Sequence, residues 1–246
     1  MPRGRAKGYE LQRETIVSRA AALFAQRGYV ATSMNEVAEA CGVSKPSLYH
    51  YVTDKHQLLA EIAEGHIARL LSVVADPAHD TPEPEERVRR LIAAFLAVYA
   101  SSQHEHRVLT EDVRFLEPKE QHRVLEGQRQ VVAAFAAAIA SARPDLERGI
   151  LEKPLAMLLF GMMNWMFTWL KPAGPLSHAA MAPVVADLFF GGLAAVRFPS
   201  AHLNDDDNGD LECLCTAPPS APLSLPSPSP RRLRSALQRK PTSTSA

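Results

Sequence analysis

An all-α protein is what this chain predicts, and three features of the sequence carry that reading. Apolar residues recur at helical spacing from Glu10 to about Arg197. Pro and Gly break the pattern into lengths typical of helices, and no stretch alternates with the period of two that a half-buried strand requires. The composition, 46% hydrophobic and 22% charged over 246 residues, excludes a fully disordered, collagen-like or coiled-coil chain. The uncharged run Pro154–Leu170 is seventeen residues long. A membrane span needs about 20 apolar residues, so a buried helix and no membrane partner are expected. Three cysteines (Cys41, Cys213, Cys215) make no disulfide framework and fit a reducing cytosol. The start, Met-Pro-Arg-Gly-Arg-Ala-Lys, has no apolar stretch behind it, so no signal peptide and a cytoplasmic location are expected.

The elements follow in order. Ile16, Ala20, Leu23 and Phe24 make one face of a first helix, which Gly28 ends. A short second helix covers roughly Met34 to Ala40, where Ser33 and Glu36 have capping-box spacing. Ser44 caps a third helix reaching about Val52, with Pro46 in its first turn, where the missing N–H does no harm. Asp54 caps a long fourth helix ending near Pro77. Further helices are expected at about 84–102, 104–115, 118–142, 150–171 and 178–197. From Pro199 onward lie eight of the nineteen prolines and eight serines, with an acidic patch before them and a basic end after. Such a segment buries too little apolar surface to offset its ordering entropy and reads as a disordered tail, 199–246. Its C-x-C pair, Cys213 and Cys215, lacks further ligands nearby and reads as idle.

The net charge is zero, 27 Lys+Arg against 27 Asp+Glu, but it is unevenly spread. Residues 1–56 hold eight Lys/Arg and five acids, and the first seven include Arg3, Arg5 and Lys7 with no acid. A flexible basic arm, 1–9, ahead of a compact basic segment suits a polyanion partner; a tail that touches nothing is the alternative. In segment 28–59, two short helices joined by a turn containing Gly42 have the form of a helix-turn-helix. Val37, Ala38, Val43 and Leu48 are spaced to pack the helices together. Lys45, Ser47, Tyr49 and His50 are then displayed outward on a helix of two turns, which fits a major groove. The alternative is a plain helical hairpin with Tyr49 in its core.

Residues 10–59 resemble the DNA-binding domain of TetR-type transcriptional regulators. The resemblance rests on Thr32-Ser33-Met34, then Ala40-Cys41-Gly42-Val43-Ser44-Lys45, Leu48-Tyr49-His50-Tyr51, and Asp54-Lys55 before Leu58-Leu59. It implies a three-helix reader at 10–56 and a ligand-binding and dimerisation domain at 57–198. It also implies double-stranded operator DNA, a small-molecule effector and a second copy of the chain as partners. By the resemblance, Thr32 and Ser33 sit near phosphate, Lys45, Ser47, Tyr49 and His50 belong to the recognition helix, and Lys55 lies near phosphate. A helix N-terminus beside Lys55 suits an anion. The chain departs from the family pattern at Val52, usually Phe, at His56, where an acid is common, and at Pro46, a frequent Gly.

The second half carries the ligand question. Residues 154–170 hold both tryptophans and four of the seven methionines. Trp165 and Trp169 are i,i+4 and are expected to share a face, with Asn164 as neighbour. Met and Trp form a deformable apolar wall, although core and dimer seam explain most such side chains. Asn164 is the exception, since a buried amide needs partners. The last two helices of TetR-type regulators usually pair across a two-fold axis, and Met181–Val196, with Gly191 and Gly192, suits that role.

The run Phe160-Gly161-Met162-Met163-Asn164-Trp165, then Trp169 and Lys171-Pro172-Ala173-Gly174-Pro175-Leu176-Ser177, is similar to TetR-type repressors that sense acyl-CoA thioesters in fatty-acid, sterol or aromatic-acid breakdown. It implies an acyl group along Phe160, Met163 and Phe167, with Trp165, Trp169 or Arg114 at the CoA part. Arg107, Arg114, Arg123 and Arg129 are cationic candidates for its phosphates, each otherwise a solvated or salt-bridged helix residue. A multidrug-sensing repressor of an efflux pump ranks lower, because 154–170 holds no acid. A helical enzyme or metal-binding protein is the alternative of another class. His104 and His106 are i,i+2, face apart on a helix, and lack zinc-protease spacing; a metal on them is the residual form of that alternative. No Gly-rich phosphate loop or G-x-S-x-G elbow appears, so no catalytic residue and no resident cofactor are expected.

Overall fold

The computed structural model describes residues 3–146, 150–171, 174–194 and 196. Among them the regular structure is helical throughout, without a strand. The α-helices are α1 (Arg3–Arg27), α2 (Met34–Ala40), α3 (Lys45–Leu48), α4 (Lys55–Val74), α5 (Pro84–Ser101), α6 (Gln103–Glu111), α7 (Pro118–Ala142), α8 (Glu152–Asn164) and α9 (His178–Leu193). The tail 199–246, with Cys213 and Cys215, lies outside the described residues, as do Pro172, Ala173 and the side chains of Arg3, Arg5 and Lys7.

Local chemistry sets the helix starts. Ser33 accepts from the Glu36 N–H and the Glu36 carboxylate accepts back from the Ser33 N–H at 2.8 Å, closing the expected capping box. Ser44 caps α3 through the Ser47 N–H, and Asp54 caps α4 through the Gln57 N–H at 2.8 Å. Gly28 and Gly42 turn the chain with φ of 86° and 65°, the left-handed region where a Cβ is costly.

Two expectations change. Helical backbone begins at Arg3, so the segment read as a flexible arm, 1–9, is from Arg3 on the first part of α1. The third helix stops at Leu48 instead of about Val52, and the chain continues to Val52 in turns closed by His50 N–H to Ser47 C=O and Tyr51 N–H to Leu48 C=O.

All described residues belong to one compact unit. One connected apolar core runs from Ile16 in α1 to Leu193 in α9, so the boundary read at residue 56 is no break in packing. α7 lies centrally among α4, α5 and α8, and α9 covers α5. Where α4 and α7 cross, the helices approach so closely that a Cβ on Gly127 would stand 2.8 Å from Ile67 Cγ1.

Candidate nucleic-acid interface and effector site

The helix-turn-helix is anchored from beneath. Val37, Ala38, Leu48 and Val52 are buried, and Val43 is half-buried against the same core. That anchoring fixes what α3 shows to solvent. Lys45, Tyr49 and His50 are exposed and Ser47 half-buried, and Tyr49, at 45% exposure, is no core residue. Ser33 is exposed at the start of α2. A cation, a phenol, an imidazole and a hydroxyl therefore share one short outward surface, the donor set that phosphates and base edges accept from.

Two residues expected at phosphate are committed elsewhere. Thr32 is 1% exposed and its hydroxyl donates to the Gly28 carbonyl at 2.9 Å. Lys55 Nζ donates to the carbonyls of Tyr29 at 2.9 Å, Val30 at 3.3 Å and Thr32 at 2.9 Å, and lies 4.4 Å from the Tyr29 ring centroid. An ammonium has three donors, and here three carbonyls take them. Lys55 is thus a clamp on the turn before α2, drawn inward because that turn leaves carbonyls that no helix satisfies.

Tyr9 is a contributor that sequence reading missed. Its ring stacks on Tyr51 at 4.8 Å between centroids, and its hydroxyl donates to the His50 carbonyl at 3.2 Å. α1 thereby braces the far end of the recognition segment. Tyr29 links the reader to the rest: it stacks on Phe115 at 5.5 Å, in the 3-10 turn Val113–Phe115 that follows α6. Burial pushes the Tyr29 phenol up to about 12, and burial lifts the Asp112 carboxyl near it to about 6.

The effector half separates what the sequence grouped. Phe160 and Met163 are buried on α8, with Phe160 edge-on to Phe135 at 4.8 Å and Phe95 at 6.0 Å. α8 ends at Asn164, and the 3-10 turn Trp165–Thr168 changes the pitch. Trp165 and Trp169 then stand 63% and 50% exposed, so they do not wall the core with Phe160 and Met163. Phe167 is half-buried, edge-on to His106 at 6.0 Å, with the Arg107 guanidinium 5.8 Å from its centroid. Arg114 lies over Phe115 at 4.8 Å, beside the reader. Arg107, Arg123 and Arg129 pair with Glu111, Glu64 and Glu126, whereas Arg114 has no ion pair among the described residues. A cavity of about 560 Å³ between α1, α4 and α6 is lined by Glu10, Arg13, Glu14, Glu61, Arg69 and Glu105 among others, a polar surface unlike an acyl site.

Asn164 has the partner its burial demanded: its Oδ1 accepts from the Tyr99 hydroxyl at 2.7 Å. Beside that bond lies a group the sequence did not reveal. His66 of α4 and His106 of α6 are buried, with Nε2 of His66 3.4 Å from Nδ1 of His106, and the Tyr99 ring stacks 3.8 Å from His106. Burial holds the His66 imidazole down to about 3, with His106 adding to the effect, and holds His106 down to about 4. His104 is exposed, on the other side of α6. The signal for His66 was its register: it falls between Ile62 and Leu70, a polar residue on the buried stripe of α4. Among the described residues no group of three or more His, Cys, Asp or Glu is placed to hold a metal, and no helix is long and apolar enough to cross a membrane.

A short outward helix on a buried anchor, joined to a larger helical body, defines a DNA-reading regulator. The family model for bacterial regulatory proteins of the tetR family matches residues 16–62, and the model described as Tetracyclin repressor-like, C-terminal domain, matches 81–193. A TetR-family transcriptional regulator from Bordetella parapertussis is 34% identical, with a TM-score of 0.70 over 76% of this chain and 98% of that one. AibR, solved in complex with isovaleryl coenzyme A and operator DNA, is 26% identical, with a TM-score of 0.63 over 72% of this chain and 97% of that one. The transcriptional repressor KstR2 of Mycobacterium tuberculosis is 23% identical over 192 residues, 74% of this chain and 92% of the relative. The chain belongs to the TetR family of transcriptional regulators.

Proposed function

We propose that the chain is a homodimeric, ligand-responsive repressor whose effector is an acyl-CoA thioester, and that it governs genes of fatty-acid, sterol or aromatic-acid catabolism. The observation that carries the DNA half is the outward face of α3 and the turn after it, with Lys45, Tyr49 and His50 held by buried Leu48. The acyl-CoA half is supported by the likeness to AibR, which was solved with an acyl-CoA and operator DNA. Dimerisation is supported by an unpartnered apolar stripe: Val184, Leu188, Gly191 and Gly192 of α9 and Met157, Leu158 and Gly161 of α8 are exposed, at helical spacing. Two copies joined there present two recognition segments about 34–36 Å apart, one DNA turn.

Regulation then follows from a shared helix. α4 carries Lys55 at its start and His66 in its middle, about 16 Å apart at 1.5 Å per residue. A ligand that moves α4 at His66 shifts the clamp on the α1–α2 turn and so the spacing of the readers. The shift is bounded by the ligand's differential affinity for the two states. Titration of acyl-CoA into the dimer–operator complex tests this: affinity for DNA falls as ligand is added. Unchanged affinity across the acyl-CoA series would remove the ligand half and leave the DNA half standing.

A further inference from the structure

Among the described residues, the buried imidazole pair leaves hydrogen-bonding capacity unused. Two neutral imidazoles carry two N–H donors and two bare nitrogens. The contact between His66 Nε2 and His106 Nδ1 uses one of each. One donor and one acceptor therefore remain, at His66 Nδ1 and His106 Nε2, whichever tautomer is present. Both atoms are buried without a hydrogen-bond partner. The Asn164 backbone lies close enough to favour a proton on the His106 ring, but no hydrogen bond closes. Folded proteins pair nearly all such atoms, because a bare buried donor or acceptor forfeits the hydrogen bond it made with water. The same place holds another open donor group: the Tyr99 hydroxyl donates to the Asn164 oxygen, and in that orientation the amide NH2 makes no hydrogen bond among the described residues. Asn164 is half-buried at the end of α8, and His106, Tyr99 and His66 are buried behind it.

We propose that His106 and Asn164, positioned by Tyr99 and His66, form a receptor for a neutral oxygen atom, carbonyl or hydroxyl, of the effector's acyl portion. A carboxylate or phosphate does not fit. The pair is neutral at physiological pH, and Arg69, the cation whose charge acts on His66, is engaged by the Ser102 hydroxyl at 2.8 Å. A plain hydrocarbon does not fit either, because it would leave the same atoms bare. The oxygen belongs to the thioester carbonyl or to a hydroxyl or ketone farther along the chain. In either case binding engages His66 through His106 and so reaches α4 directly. The receptor rests on the acyl-CoA reading for its ligand, but its hydrogen-bonding chemistry does not require CoA.

The experiment measures dissociation constants for the full-length protein with octanoyl-CoA, octyl-CoA (the thioether, lacking the carbonyl) and β-hydroxyoctanoyl-CoA, and with methyl octanoate and methyl β-hydroxyoctanoate. The same set is run on the double variant His66→Leu/His106→Phe, which removes both imidazoles together, keeps a ring on Tyr99, and is checked by its unfolding transition. The expected result is about tenfold tighter binding of at least one oxygen-bearing ligand over its oxygen-free partner, lost in the variant. Preference for octanoyl-CoA over the thioether assigns the thioester carbonyl; preference for the hydroxy compound assigns a chain oxygen. No preference in the parent protein, or one that survives in the variant, overturns the receptor. If no CoA compound binds but the hydroxy ester is preferred and the preference is lost in the variant, the CoA reading falls and the receptor stands. Should the variant fail to fold, long-range nitrogen NMR of the parent decides: ligand must shift the His106 Nε2 resonance, and an unmoved resonance in the bound state overturns the proposal.

Discussion

Replacing Lys55 by Met separates the phosphate contact that the family resemblance implies from the clamp on the turn before α2. Met keeps the stem and removes the ammonium, so the carbonyls of Tyr29, Val30 and Thr32 lose its hydrogen bonds. Val30 is exposed and water can serve its carbonyl, and the Tyr29 carbonyl keeps the Thr32 N–H at 3.3 Å. One part-buried acceptor, the Thr32 carbonyl, is left bare, an expected loss of about 1–3 kcal/mol. That lowers the melting temperature by roughly 2–12 °C for a chain of this size. Operator affinity falls because the start of α2 is no longer held. The decisive measurement is the slope of log affinity against log salt concentration. Each phosphate contact contributes about 0.9 to that slope, so two subunits losing a Lys55–phosphate contact would flatten it by about 1.8. A clamp leaves the slope unchanged while both stability and affinity fall. A slope flattened by about 1.8 with unaltered stability would refute the reasoning.

Three further outcomes follow from the same geometry. Tyr49→Ala is expected to weaken operator binding about tenfold or more with little change in stability, read by gel shift beside a thermal melt; parent-like affinity removes α3 as the reading surface. Gly127→Ala gains helix propensity of about 1 kcal/mol but drives a Cβ to 2.8 Å from Ile67 Cγ1, so net destabilisation is expected in urea unfolding, and a stabilised variant contradicts the close crossing of α4 and α7. Acid acts through the histidine pair. Burial lowers the folded values of His66 and His106 to about 3 and about 4 from 6.5, so the unfolded chain takes up protons first and stability falls as pH drops below 6.5. Asp112, raised to about 6 from 3.8, opposes this between those values, while His178, also held down by burial, adds to it. Denaturant unfolding at several pH values measures it, and a slope unaffected by His66→Leu/His106→Phe contradicts the assignment.

The helical class and the starts of α2, α3 and α4 were legible in the sequence because caps act over three residues: Ser33 with Glu36, Ser44 with Ser47, Asp54 with Gln57. The outward display of Lys45, Tyr49 and His50 was legible for a similar reason, since burying Leu48 in a short helix fixes the direction of its neighbours. Periodicity over-extended α3 and α8, because it does not show where tertiary packing ends a helix or tightens it into a 3-10 turn. That tightening put Trp165 and Trp169 on the outside and left Phe160 and Met163 within.

Sequence by itself determined that this is a helical reader on a larger helical body, since those features are written in residues three, four or seven apart. Only the tertiary structure decided that Lys55 clamps carbonyls 23 to 26 positions away, that Tyr9 braces Tyr51, and that His66 meets His106 forty residues on. Such contacts are satisfied by proximity in space. The free energy of leaving a buried donor or acceptor unpaired acts on whichever groups the fold brings together, and chain spacing does not encode which those are.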